Sequence, residues 1–161
     1  MRQDSKRNLR AYKIMHHGRV QNYVKSGRLV GTAQVPYIDG LGGGSLAKYI
    51  PGLPGSWYGW VFEGKVKIKK GGNYGFCSTS DDGSLVWVNK HRVVDNDGYH
   101  GDREVCGTVH LDAGEAHVMV IGFQAGGGIT QVLKYYGPDT DGRKMWAPSR
   151  DNSVSGWSPK I

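Results

Sequence analysis

The stretch Lys65-Val66-Lys67-Ile68-Lys69 alternates strictly between charged and apolar residues. Only an extended chain sends successive side chains to opposite faces, so the pattern predicts a half-buried β-strand with its lysines toward water. Further short apolar runs follow at hairpin spacing: 74–79, 84–88, 92–94, 105–111, 117–123 and 129–136. The segments between them carry the residues that turns require: Gly71-Gly72-Asn73, Asp81-Asp82-Gly83, Asn89-Lys90, Asp112-Ala113-Gly114-Glu115, and Gly137-Pro138 after the last run. Strands this short at this spacing predict an all-β, antiparallel sandwich or barrel. Val118-Met119-Val120-Ile121 is apolar on both faces and predicts a central strand covered on each side.

The 161 residues suit one domain with a single core. The flanks are less regular. Arg2, Lys6, Arg7, Arg10 and Lys13 make a basic N-terminal arm at 1–17, where Leu9, Tyr12 and Met15 offer one short helical face. Residues 40–55 are dense in Gly and Pro and read as a loop between arm and body. The expected sandwich covers 18–140, and the Ser- and Pro-rich tail 141–161 has Trp146 and Trp157 as its large anchors.

Several function classes lack their residues. No apolar run is long enough to span a bilayer, and the first residues lack the apolar core of a secretory signal. The net charge of +7 permits an acidic partner. Nucleic acid is not expected, because the lysines of 65–70 lie on one strand face without interleaved aromatics. His16, His17, His91, His110 and His117 share no ligand spacing with cysteines, so no zinc site is expected. "GLGGGS" (40–45) lacks the Lys-Ser/Thr of a phosphate-binding loop, and no nucleophile elbow occurs. No enzymatic activity is expected.

Cys77 and Cys106 fall in separate strand-like runs, and either a bridge or two buried thiols is consistent with that placement. Asp81 and Asp82 raise a similar alternative. Adjacent like charges repel, so the pair is either a solvated turn or is drawn together by a cation. For Asp95-Asn96-Asp97-Gly98 a structural turn is the better reading.

The order of these motifs carries a resemblance. Gly-Asn-Tyr-Gly-Phe-Cys-Ser-Thr-Ser-Asp-Asp-Gly-Ser-Leu-Val-Trp-Val (72–88), Val-Val-Asp-Asn-Asp-Gly (93–98), Val-His-Leu-Asp-Ala-Gly (109–114) and Tyr-Tyr-Gly-Pro-Asp-Thr (135–140) resemble the PA14 domain. That domain is a β-sandwich module of bacterial toxins, yeast adhesins and insertions in some glycosidases, where it is not the catalytic domain. In sugar-binding members two adjacent Asp residues joined by a cis peptide hold Ca²⁺. The resemblance implies Asp81 and Asp82 as those ligands. Ca²⁺ takes about 6–8 oxygens, so further ligands are needed. By the same resemblance they come from Gln124 and main-chain carbonyls of the loop through Gly126 and Gly128, Gln124 standing where yeast adhesins have Asn.

An open part of the coordination shell would then take two neighbouring hydroxyls of a glycan, with Tyr99, His100 and Gly127 as candidate sugar contacts. The adhesins' large inserted recognition loop has no counterpart here, so their specificity is not implied. The expectation is a non-catalytic, Ca²⁺-dependent carbohydrate-binding module, extracellular or at the cell surface where the chain is a mature or partial one. A second expectation is an accessory or scaffold subunit of a larger, organellar assembly, gripping neighbouring protein subunits through 1–17 and 141–161. The missing signal, the absence of N-x-[ST] sequons and the +7 charge motivate it.

Overall fold

The computed structural model describes residues 9–13, 28–33, 49–126 and 129–146. They form two antiparallel sheets packed face to face. The strands are β1 (Leu9–Lys13), β2 (Arg28–Ala33), β3 (Tyr58–Ile68), β4 (Gly72–Asp81), β5 (Ser84–Val88), β6 (His91–Asn96), β7 (Arg103–Leu111), β8 (Gly114–Gln124), β9 (Thr130–Tyr136) and β10 (Met145–Trp146). One sheet has six strands in the order β2-β1-β3-β8-β5-β6, the other four in the order β10-β9-β4-β7.

The alternation seen from Lys65 extends back along all of β3. Tyr58, Trp60, Phe62, Val66 and Ile68 are buried between the sheets, while Lys67 is exposed and Lys65 half-buried beside Glu115 (2.8 Å). From the facing sheet come Tyr74, Phe76, Leu133 and Tyr135, with Tyr135 stacked between Tyr74 and Phe76 at centroid distances of 6.4 and 6.0 Å. Asn89 (φ 49°) and Lys90 (φ 70°) are both left-handed, the conformation a two-residue hairpin needs for its twist to match the strands.

β8 lies centrally, between β3 and β5. Val118 and Val120 face the core at 0% exposure, whereas Met119 and Ile121 on the other face are half-buried. That outer face is closed mainly near the end of β8, where Leu85 and Phe123 are buried with Tyr12, Trp57, Trp87, Ile121 and Ala125 around them.

The flanks differ from expectation. Leu9–Lys13 is a strand rather than a helical turn, and it is inserted between β2 and β3. A weak apolar period cannot compete with backbone hydrogen bonds along both edges of an extended segment. The expected arm 1–17 therefore contains part of the sheet, and the tail 141–161 begins with β10, where Met145 pairs with Tyr135 and is buried. Within the expected loop 40–55, Ile50 is a core residue. Met15, Trp157 and the glycines at 40–45 lie outside the described residues.

Cys77 of β4 and Cys106 of β7 are direct cross-strand partners, 4.0 Å apart at Cα, and form a disulfide. It ties an edge strand to the centre of its sheet.

Candidate functional site

Asp81-Asp82-Gly83 is where the chain leaves one sheet for the other. Asp81 closes β4, opposite Thr130 of β9, and Ser84 opens β5, opposite Gly122 of β8. The corner is tight. The Asp82 N–H donates to the Phe123 carbonyl (2.9 Å), and the Phe123 N–H donates to the Gly83 carbonyl (3.1 Å). A Cβ on Gly83 would lie 2.6 Å from the Gly98 nitrogen and 2.9 Å from Asp97 Oδ1, so this position admits no side chain. The peptide between Asp81 and Asp82 is cis, as the resemblance implied.

The two carboxylates are held in different ways. Asp82 is buried, and its Oδ1 accepts the Ala125 N–H at 2.9 Å. Asp81 is half-buried, and its carboxyl is pushed above the ordinary carboxylate value, first by burial, then by repulsion from Asp82 and Asp102, with His100 pulling the other way. A divalent cation at this corner would reverse that balance by making ionised oxygens favourable.

Gln124 ends β8 with 1% of its surface exposed; among the described residues its Oε1 is buried and accepts no hydrogen bond, although the residue makes other interactions. Two carboxylates at the corner between the sheets and a neutral amide oxygen at the end of β8 are the hard oxygen donors that Ca²⁺ takes, so the residues present fit the ion. Gly126 is exposed just beyond, while Gly127 and Gly128 lie outside the described residues.

The loop from Asp97 to Asp102 borders the same corner. Tyr99 is 52% exposed and meets Phe123 edge-on, with centroids 5.8 Å apart. The His100 ring nitrogens lie 2.7 Å from the Gly101 carbonyl and 2.8 Å from the Asn96 carbonyl. Asp97, against Gly83, and Asp102, acting on Asp81, were not singled out from the sequence. Asp97 falls in the segment 95–98, whose pattern is that of a turn, and no local pattern tells which strand end such a loop will cover.

Beneath the corner runs a buried polar network that no local sequence pattern marks. Trp60 Nε1 donates to Gln131 Oε1 (3.1 Å), and Gln131 Nε2 donates to Ser78 Oγ (2.9 Å). Ser84 Oγ lies 2.7 Å from Ser78 Oγ and 2.8 Å from Ser80 Oγ. Asn96 Nδ2 reaches the Ser78 and Arg103 carbonyls (3.1 and 2.7 Å), and Arg103 Nε returns a bond to Asn96 Oδ1 (2.8 Å). All four side chains Ser78, Ser84, Asn96 and Gln131 are at 0% exposure. A connected network inside a low-dielectric core fixes both sheets at this end, because any shift would strand a buried donor.

Cys77, Glu104 and Cys106 also bring ligand-type atoms within 4.8 Å of one another. Both sulfurs are in the disulfide, so they offer no thiolate.

A family model described as the PA14 domain matches residues 47–147. No curated protein sequence matches the chain. Among solved structures, the PA14 domain of the MpAFP antifreeze protein superposes with a TM-score of 0.77 at 17% identity, covering 99% of this chain and 96% of that one. The PA14 sugar-binding domain of an RTX adhesin gives 0.71 at 15%, covering 97% and 99%. The Epithelial Adhesin 6 A domain of Candida glabrata, solved with Galb1-3GlcNAc, gives 0.55 at 16%, covering 100% and 94%. At these identities the likeness is one of fold.

Proposed function

This chain belongs to the PA14 domain family, and from that premise we propose that it is a non-catalytic, Ca²⁺-dependent carbohydrate-binding module. The observation that carries the reading is the corner itself: Asp81 and Asp82 side by side where the chain changes sheets, with Asp82 clamped by backbone and carboxylate to the end of β8 beside buried Gln124. Similar folds described as a sugar-binding domain and as an adhesin with a bound glycan support it. Asp81, Asp82 and Gln124 would hold the ion, with carbonyls of 126–128 completing the shell. When bound, Ca²⁺ supplies open coordination positions for vicinal hydroxyls. The chain's own part is to fix the two carboxylates and to present Tyr99 and His100 beside them. The Cys77–Cys106 disulfide suits an oxidising, extracellular or surface setting.

The test is calorimetric titration of metal-stripped protein with Ca²⁺, alone and with a mixture of neutral methyl glycosides. Calcium binding tightened by sugar is the expected result, since linkage makes the two ligands help each other. Calcium binding indifferent to every sugar would reduce the ion to a brace for the loops, and no calcium binding would overturn the reading.

A further inference from the structure

Trp57 stands immediately before β3, and nothing in the sequence marks it as part of a site. Its N–H donates to the Ala125 carbonyl (3.1 Å), and the N–H of the same Ala125 holds Asp82 Oδ1 (2.9 Å). One residue thus separates its backbone from the carboxylate of the proposed cation site. Its ring is half-buried and meets Tyr99 edge-on, with centroids 6.0 Å apart and planes at 75°. Tyr99 in turn stands against Phe123, whose backbone brackets Asp82 and Gly83. The two rings therefore make an apolar corner beside the Asp81-Asp82 turn, one wall fixed by β3 and the other by the loop before β7.

The backbone of Trp57 adds an independent sign. Its φ of 56° is left-handed, a conformation that disfavours a residue bearing Cβ and that glycine would adopt without penalty. A bulky aromatic kept in such a conformation points to a role for the ring beyond folding, since strained residues gather where a function fixes them. The polar surroundings differ from the molecule's overall charge of +7. Asp81, Asp82, Asp97 and Asp102 lie in the turn and loop that frame the corner, against His100 and Arg103. A bound divalent ion offsets only part of that negative charge.

We infer that Trp57, with Tyr99, is a specificity-determining wall that stacks on the apolar C–H face of a neutral pyranose, while the acidic loop rejects sulfated or carboxylated sugars. The inference rests on the carbohydrate-binding reading above. Aromatic rings bury the apolar face of a sugar and leave its hydroxyls to polar partners, so the ring corner and the ion would read opposite sides of one residue.

The experiment titrates Ca²⁺-loaded protein with neutral methyl hexosides and with the sulfated form of whichever binds best. Trp57→Ala is expected to weaken the neutral sugar about tenfold while leaving calcium affinity, measured without sugar, unchanged. Trp57→Phe keeps a stacking ring, so it should retain most of the binding; it also serves if the alanine variant unfolds. Tyr99→Ala, on the more exposed wall, should weaken sugar in the same sense. Neutral-sugar binding unchanged in both Trp57→Ala and Tyr99→Ala, with calcium intact, overturns the inference while leaving the carbohydrate reading standing. A sulfated glycoside bound as tightly as its neutral parent overturns the charge argument. Loss of calcium binding in the wild-type protein defeats the underlying reading, and this inference with it.

Discussion

Asp82 Oδ1 accepts a hydrogen bond from the Ala125 N–H at 2.9 Å, so one oxygen of a buried carboxylate is committed to the end of β8. Asn at this position preserves that acceptor but removes the charge. Asp82→Asn should therefore fold with little loss of stability and bind Ca²⁺ at least about tenfold more weakly, since affinity follows the count of charged ligands. Asp82→Ala should lose both. Thermal unfolding of the metal-free proteins beside calorimetry separates the effects; an Asn variant with wild-type calcium affinity would remove Asp82 from the ligand set.

Gly83→Ala is expected to destabilise the protein by about 1–3 kcal/mol, because the new methyl would overlap the Gly98 nitrogen (2.6 Å) and the Phe123 ring (2.8 Å), so the loop or the ring must shift to admit it. Urea unfolding measures this. A neutral substitution would mean that the Asp97-Gly98 loop does not rest on the turn.

The Cys77–Cys106 disulfide spans a sequence separation of 29 residues, and loop-closure entropy makes its stabilisation about 3–4 kcal/mol. Reduction, or the double change to Ser, should lower the urea midpoint accordingly. Mass spectrometry under native conditions should find no free thiol.

Gln131→Leu removes the acceptor of Trp60 Nε1, leaving that donor unpaired at 0% exposure, and one of the two bonds at Ser78 Oγ, which keeps Ser84. A loss of about 2–4 kcal/mol is expected, more than the volume change alone would cause. Chemical denaturation checks it, and a loss below about 1 kcal/mol would show that the network tolerates a gap.

The metal-free protein should become less stable as pH rises from about 3.8 through the raised value of Asp81. In that window the native state holds a proton that the unfolded state has already lost, so unfolding releases it and rising pH favours unfolding. Calcium affinity should move oppositely, falling on acidification as protons compete for the same oxygens. Asp81→Asn should flatten the metal-free profile; an unchanged profile would place the effect on another group.

Much of the architecture was legible in the chain. Strand positions from the second half of β3 to β9 follow from alternation and turn residues, because side-chain period and turn chemistry are local properties. Asp81, Asp82 and Gln124 are candidates through the order of motifs around them, and the fold brings their stretches of backbone to one corner. Leu9–Lys13 was not legible, because a strand held by neighbours on both edges needs no strong pattern of its own. Which turn meets which loop was equally hidden. Asp102 acts on Asp81 across 21 positions of chain, and Trp57 reaches Asp82 through Ala125, because the packing of two sheets sets their ends side by side. The amino-acid order determined the strands, the turns and the acids; tertiary structure alone decided the company those acids keep, since that depends on long-range pairing no local segment encodes.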